Sequence, residues 1–189
     1  MVCEKEFINR VEHVEKLKEE IKKMCEEFKR TSPKPKASAF ISHCGDYDFV
    51  FRLCKKLFEN QILPIIYFVN PALGKNLDED IGERIWGSDF FIAIIGECTK
   101  NTHYVDNEVG YAFSLVHKGH MKHTYSVIPI FTSQQLFDEY WGFYSHKNIA
   151  IILNEKNWEE KISDIIRHID SHTTEGKGRV VLLKGLENY

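Results

Sequence analysis

The chain has 189 residues, of which 43% are hydrophobic and 28% are charged. This length supports one globular domain with an accessory segment, and the composition is that of an ordinary globular protein rather than a disordered or fibrous one. The formal net charge is -3. A broad positive surface is therefore excluded, and neither a nucleic acid nor an acidic membrane is an expected partner.

Cysteine usage and hydropathy predict the compartment. The five cysteines are odd in number, scattered, and never set in a C-x-x-C pair, which predicts neither a disulfide scaffold nor a zinc ribbon. Charged residues crowd the N-terminus without an apolar core of a signal peptide, and no apolar run reaches the roughly 20 residues of a membrane span. We expect a cytoplasmic location without secretion. The cysteines are Cys3, Cys25, Cys44, Cys54 and Cys98.

The first 30 residues predict an amphipathic helix. Apolar residues recur at steps of three and four between lysines and glutamates. Two interpretations stay open, namely packing on the chain's own domain and a short oligomerisation helix with a heptad-like seam. The apolar positions are Phe7, Val11, Val14, Leu17, Ile21, Met24 and Phe28. Residues 31–36 contain two prolines and predict a linker.

Strand-length apolar runs then alternate with helical patterns through residues 37–172. The predicted strands are 37–42, 62–69, 90–95, 127–131 and 149–153, and the predicted helices are 47–60, 77–87, 104–117 and 158–169. Segment 132–147 has no readable geometry. The tail 173–189 contains a possible extra strand at 180–183.

This alternation predicts an α/β fold with a parallel sheet covered on both faces. Ligands of such sheets bind beyond the carboxyl ends of the strands, where the strand order reverses. In a flavodoxin-like order, 2-1-3-4-5, the reversal lies between the first and third strands, which end at residues 42–46 and 96–99. The helix 104–117 begins beside that point.

Glu108 is the candidate for chemistry on this helix, although most helix glutamates are solvated surface residues. Other constellations rank lower. His117, His120 and His123 suggest a metal site that Gly119 disfavours by ending the helix. His43 and Cys44 point to opposite faces of a strand and do not form a nucleophile pair. Neither a Rossmann fingerprint nor a P-loop occurs, so neither a Rossmann dehydrogenase nor a P-loop enzyme is supported.

Four segments occur in an order and at intervals that resemble a TIR domain. They are AFISH at 39–43, GK at 74–75, SDFFI at 88–92 and YVDNEVGYA at 104–112. The resemblance implies the flavodoxin-like five-strand fold inferred above. Many TIR domains cleave NAD with a glutamate in a W-x-x-x-E pattern on the third helix, and Glu108 falls on that glutamate.

The resemblance also implies a set of substrate-binding residues. Tyr104 stands where the family usually has tryptophan. His43 and Cys44 line the nucleotide crevice, and Lys75 lies in the loop through which neighbouring TIR domains complete each other's sites. Tyr104 and Trp86 are candidate stacking surfaces for the rings of NAD. No metal and no cofactor other than NAD as substrate is expected.

Two functions from different classes follow from the resemblance. The first is an NAD glycohydrolase or cyclase that releases nicotinamide and either ADP-ribose or a cyclic isomer, in antiviral or other immune signalling, with a downstream effector that responds to the nucleotide product. It implies homo-oligomers built by TIR–TIR contacts. The second is a non-catalytic scaffold that signals by the same homotypic contacts. A nucleoside deoxyribosyltransferase of similar fold is a distant third.

Overall fold

The computed structural model describes residues 4–31, 34–69, 76–118, 127–144 and 151–173, with side chains except at 4–10 and 141–144. Helices and strands alternate along these ranges. The elements are α1 Glu4–Thr31, β1 Ala37–His43, α2 Tyr47–Glu59, β2 Ile62–Ile65, α3 Leu77–Trp86, β3 Phe90–Ile95, a short 3₁₀ helix Glu97–Asn101, α4 Tyr104–His117, β4 Val127–Phe131, α5 Gln134–Tyr144, β5 Ile151–Ile152 and α6 Trp158–Thr173.

The five strands form one parallel sheet in the order β2-β1-β3-β4-β5. The predicted flavodoxin-like order is therefore confirmed. Every residue of β1, β3 and β4 is buried, as expected for a parallel sheet with helices on both faces. The order reverses between β1 and β3, whose register pairs Ala39 with Phe90 and His43 with Ile94.

Two apolar cores lie on the two faces of the sheet. One joins α1, α2 and α6 to the sheet and contains Ile21, Leu53 and Ile165. The other joins α3, α4 and α5 to the opposite face and contains Ile85, Val109 and Leu136. Successive residues of β1 supply the two cores alternately, since Ile41 belongs to the first and Phe40 to the second. None of the described helices is long and apolar enough to cross a membrane.

The N-terminal helix packs on its own chain. α1 contacts α2 and β2, and its residues Leu17, Ile21, Cys25 and Phe28 are buried. The Phe28 ring lies 5.0 Å from that of Phe58 on α2. This face of the helix is thus used for intramolecular packing, the first of the two interpretations that the sequence left open.

Some predicted boundaries change. β2 ends at Ile65 instead of residue 69, because Val69 N–H donates to the Ile66 carbonyl and closes a turn. The segment without readable geometry contains α5. The possible strand at 180–183, and His120 and His123 of the considered metal cluster, lie outside the described residues.

Ile21→Ala tests the docking of α1. Ile21 is fully buried, so its truncation leaves a cavity and should lower the free energy of unfolding by about 2–4 kcal/mol. Val11→Ala on the same helix is the matched control, because Val11 is 47% exposed, and its effect should stay within about 0.5 kcal/mol. Chemical denaturation measures both. Equal effects of the two substitutions would contradict the docking of α1.

Candidate functional site

Glu108 lies one turn into α4, at the carboxyl edge of the sheet. Val105, Val109 and Ala112 are fully buried and hold α4 on β1, β3 and β4. This packing places the partly buried Glu108 side chain near Ser42, the penultimate residue of β1. The carboxylate therefore borders the strand end where a ligand of such a sheet is expected.

Burial dominates the electrostatics of Glu108. It raises the pKa of the carboxyl to about 7, and the nearby Ser42 hydroxyl opposes the shift only in part. Ser42 Oγ is itself buried and, apart from this interaction with Glu108, has no hydrogen-bond partner among the described residues. No lysine or arginine among the described residues forms an ion pair with Glu108. A partly buried carboxyl and a buried hydroxyl thus face the same space.

His43, the residue after Ser42, turns to the other face of the sheet. Its ring contacts those of Tyr47, Tyr67 and Phe68 at centroid distances of 5.2, 6.0 and 5.9 Å. We call these four residues the aromatic cluster. His43 Nδ1 lies 2.9 Å from the Gly45 carbonyl, which accepts a hydrogen bond from it. Burial lowers the pKa of His43 to about 4, so the ring is neutral at pH 7 and its buried Nε2 is an acceptor with no described partner.

Tyr67 links the aromatic cluster to Glu108. Burial raises the pKa of Tyr67, and the nearby Tyr47 and Glu108 raise it further, while Lys18 of α1 lowers it. The Tyr67 hydroxyl therefore lies within electrostatic reach of both the Glu108 carboxylate and the Lys18 ammonium. Tyr67 lies in the loop after β2 and Tyr47 begins α2 after β1, both at the same edge of the sheet as Glu108.

A disulfide between Cys44 and Cys98 joins the ends of β1 and β3. The scattered cysteines predict no disulfide scaffold, and the structure has this one bond among the described cysteines. The two residues are 54 positions apart in sequence, but the adjacent parallel strands bring their Cα atoms to 5.6 Å. Thr102 Oγ1 donates to Cys44 Sγ at 3.4 Å. Cys44 thus links the ends of β1 and β3 covalently.

The remaining predicted site residues fall in different places. Tyr104 is 65% exposed and stands four residues before Glu108, on the same side of α4. Trp86 ends α3 near Asp89, whose N–H donates to the Ser38 carbonyl at the amino end of β1. This is the edge of the sheet opposite Glu108, and the stacking role of Trp86 stays a prediction. Lys75 lies outside the described residues.

Sequence patterns did not single out Ser42, Tyr47 or Tyr67 as site residues. Ser42 lay within the motif AFISH, and its alternation with Phe40 and Cys44 was the available signal for the face it shares with Glu108. Tyr67 was assigned to a strand instead of a turn. In the described ranges no three or more His, Cys, Asp or Glu residues converge as metal ligands would.

A cavity on the other side of the β1–α2 loop does not contain Glu108. Its lining includes Arg52, Thr132 and Trp158. The Arg52 guanidinium lies 4.0 Å from the Trp158 ring centroid and 2.6 Å from a Glu155 carboxylate oxygen. Arg52 already has both a stacking and an ionic partner, so the site of interest remains the space around Glu108.

Burial of Glu108 predicts a specific pH dependence of stability. The folded-state pKa of about 7 exceeds the ordinary value of 4.5, so the unfolded chain releases this proton first as pH rises. The contribution of Glu108 to the free energy of unfolding is therefore largest below pH 4.5 and falls by up to about 3 kcal/mol as pH rises through 7.

Denaturation of wild type and Glu108→Gln at about pH 5 and about pH 8 measures this effect. From the lower to the higher pH, the free energy of unfolding of the variant should rise by about 2–3 kcal/mol relative to that of wild type. Parallel pH profiles of the two proteins would show that Glu108 is solvated.

Reduction of the disulfide should lower stability. Opening a loop of 54 residues restores conformational entropy to the unfolded chain, and a loss of about 2–4 kcal/mol is expected. A phosphine reductant should therefore lower the melting temperature of wild type. The Cys98→Ser variant lacks the disulfide and should melt at this lower temperature with or without the reductant. Alkylation of Cys44 in native, unreduced wild type would contradict the pairing.

Comparison with known proteins agrees with the fold. The family model described as TIR domain matches residues 39–167, more than half of the chain. No curated protein matches the chain. The match begins in β1 and ends in α6, so it includes all five strands and Glu108 and leaves out α1. The chain belongs to the TIR domain family.

Proposed function

We propose that the protein cleaves NAD between nicotinamide and ribose. The observation that carries the proposal is the Glu108 carboxyl, partly buried without a described ion partner at the carboxyl edge of the sheet beside the buried Ser42 hydroxyl. The TIR family includes both NAD-cleaving and non-catalytic members. A buried carboxylate at a strand end favours the former, because its burial is costly unless it meets a ligand.

One carboxylate suffices for this reaction. Nicotinamide leaves a cationic glycoside as a neutral ring and takes the bonding electron pair with it, so the leaving group needs no general acid, unlike that of an ordinary glycoside. Positive charge develops on the ribose ring as the bond opens. Glu108 binds the ribose hydroxyls and stabilises that charge more strongly in the transition state than in the ground state.

The electrostatics of the site suit a cationic substrate. A proton leaves Glu108 near pH 7 in the free protein. The positive nicotinamide ring favours the ionised carboxylate and lowers its pKa on binding. The buried Ser42 hydroxyl supplies a hydrogen bond to the carboxylate or to the ribose. Tyr104, exposed on the same side of α4, offers a flat surface on which a base stacks.

The ribosyl cation has two fates with the same first step. Attack of water on the anomeric carbon gives ADP-ribose, whereas attack of an adenine nitrogen gives a cyclic isomer. In the proposed setting the product acts in cytoplasmic immune signalling through an effector that binds it. TIR–TIR association supports the activity, with Lys75 completing the site of a neighbouring copy.

The alternative is a scaffold that signals by TIR–TIR contacts alone. The observation that favours it is Tyr104, which replaces the tryptophan of the family pattern and leaves a smaller stacking surface. The two functions differ in what they require of Glu108. A scaffold retains its function without the carboxylate, while the enzyme does not.

Glu108→Gln should reduce nicotinamide release from NAD by at least about 100-fold, because the amide carries no charge to stabilise the developing cation. Chromatography of the products with mass spectrometry measures nicotinamide and distinguishes ADP-ribose from a cyclic isomer. Glu160→Gln is the control, since Glu160 is exposed on α6 and undergoes the same chemical change. It should leave the rate unchanged.

The assay needs both the associated and the dilute form of the purified protein, separated by size-exclusion chromatography. In the active form kcat/KM should rise with pH through about 7, as the free Glu108 ionises. Intact NAD with both forms would overturn the enzymatic proposal. Equal activity of wild type and Glu108→Gln would remove Glu108 from the mechanism.

A further inference from the structure

We propose that Lys18 of the N-terminal helix α1 binds the pyrophosphate of the dinucleotide whose ribosyl-nicotinamide end lies at Glu108. This inference rests on the proposed function and names a substrate-binding residue outside the part of the chain that the TIR model matches, residues 39–167. Its basis is the docking of α1, the position of the Lys18 ammonium and the pattern of charge around the aromatic cluster.

Packing fixes the position of Lys18. Its neighbour Leu17 and, one turn further, Ile21 are buried between α1 and the rest of the domain. The Lys18 ammonium lies 5.2 Å from the centroid of the Tyr47 ring, within cation–π range. Tyr47 begins α2 at the carboxyl edge of the sheet. α1 thus places the Lys18 ammonium at the carboxyl edge of the sheet, which also carries Glu108.

The aromatic cluster connects Lys18 with Glu108. Tyr47 contacts His43 edge to face at 5.2 Å, and Tyr67 contacts His43 at 6.0 Å. Tyr67 is within electrostatic reach of both charges. Among the described residues, His43 Nε2 is a buried polar atom of this cluster without a hydrogen-bond partner. A ligand bound against the cluster supplies the missing hydrogen bond.

The charge pattern matches a dinucleotide. A cationic nicotinamide ribose fits at the carboxylate, flat rings fit against aromatic side chains, and an anionic pyrophosphate requires a cation. His43 is neutral at pH 7 and does not provide one. Lys18 is charged, because its hydrogen bond with Glu15 raises the pKa of the ammonium.

The pairing of Lys18 with Glu15 leaves it available for phosphate. The ammonium lies 2.7 Å from a Glu15 carboxylate oxygen, and the Glu15 side chain is 61% exposed. The Lys18 side chain is 25% exposed, and a pair with one exposed partner at this spacing along a helix contributes little stability, so a doubly charged pyrophosphate displaces Glu15 at small cost. Lys22 forms the same kind of pair with Glu19 at 2.8 Å, one turn further along α1, and is the matched control.

Calorimetric titration of the full-length Glu108→Gln protein tests the assignment without turnover. ADP-ribose carries the pyrophosphate, whereas nicotinamide riboside lacks it. Adding Lys18→Ala should weaken ADP-ribose binding about tenfold and leave the affinity for nicotinamide riboside within about twofold. Lys18→Arg should retain most of the affinity, and Lys22→Ala all of it. In an active protein Lys18→Ala should raise KM for NAD and spare kcat.

The outcomes separate this inference from the proposed function. If Lys18→Ala leaves ADP-ribose binding unchanged, if Lys22→Ala weakens it equally, or if ADP-ribose does not bind at all, the assignment of Lys18 is wrong, whether or not the wild type cleaves NAD. If Lys18→Ala alone weakens ADP-ribose binding while the wild type leaves NAD intact, Lys18 binds the pyrophosphate and NAD cleavage is the part that fails.

Discussion

The packing of α4 against the sheet is the constraint on which the site depends. Val105, Val109 and Ala112 are fully buried, and their packing fixes the rotation of α4 about its axis. Glu108 precedes Val109 and lies on the border of that apolar face. Its carboxyl is therefore held at the end of β1, in surroundings of low polarity that a solvated helix glutamate does not meet. The unusual protonation of Glu108 follows from helix packing and not from a second charge.

The two sides of the β1 end differ in character because the strand alternates. Ser42 turns to Glu108 and His43 turns to the aromatic cluster, so adjacent residues present a titratable carboxyl on one face and a neutral ring on the other. The Cys44–Cys98 disulfide links the ends of β1 and β3 covalently.

The sequence predicted those features that depend on local periodicity. The bounds of α4 and the strands β3 and β4 follow from their apolar patterns, and the place of Glu108 follows from them. Features set by tertiary geometry were not predicted from the sequence. The disulfide joins residues 54 apart that only the parallel pairing of β1 and β3 brings together. The distance of Trp86 from Glu108 is another such feature, because a crossover helix runs back along the strands and its last residue lies at the amino edge of the sheet. Tyr67 was not predicted as a site residue because it lies in the apolar run 62–69, which is typical of a strand, whereas the chain turns at residues 66–69.

Three groups at the end of β1 and the start of α4 each carry an energetic cost in the unliganded protein. The Glu108 carboxyl is partly desolvated, and Ser42 Oγ, apart from its interaction with Glu108, and His43 Nε2 are buried without a described hydrogen-bond partner. Each cost is of the order of 1–3 kcal/mol, and a fold selected only for stability removes such groups by apolar substitution. Ser42 Oγ and the Glu108 carboxyl lie on the same face of the sheet, so a single ligand bound there relieves both costs. A polar molecule with hydroxyl groups and a positive charge has the chemistry to do so, which supports the proposed binding of NAD at Glu108.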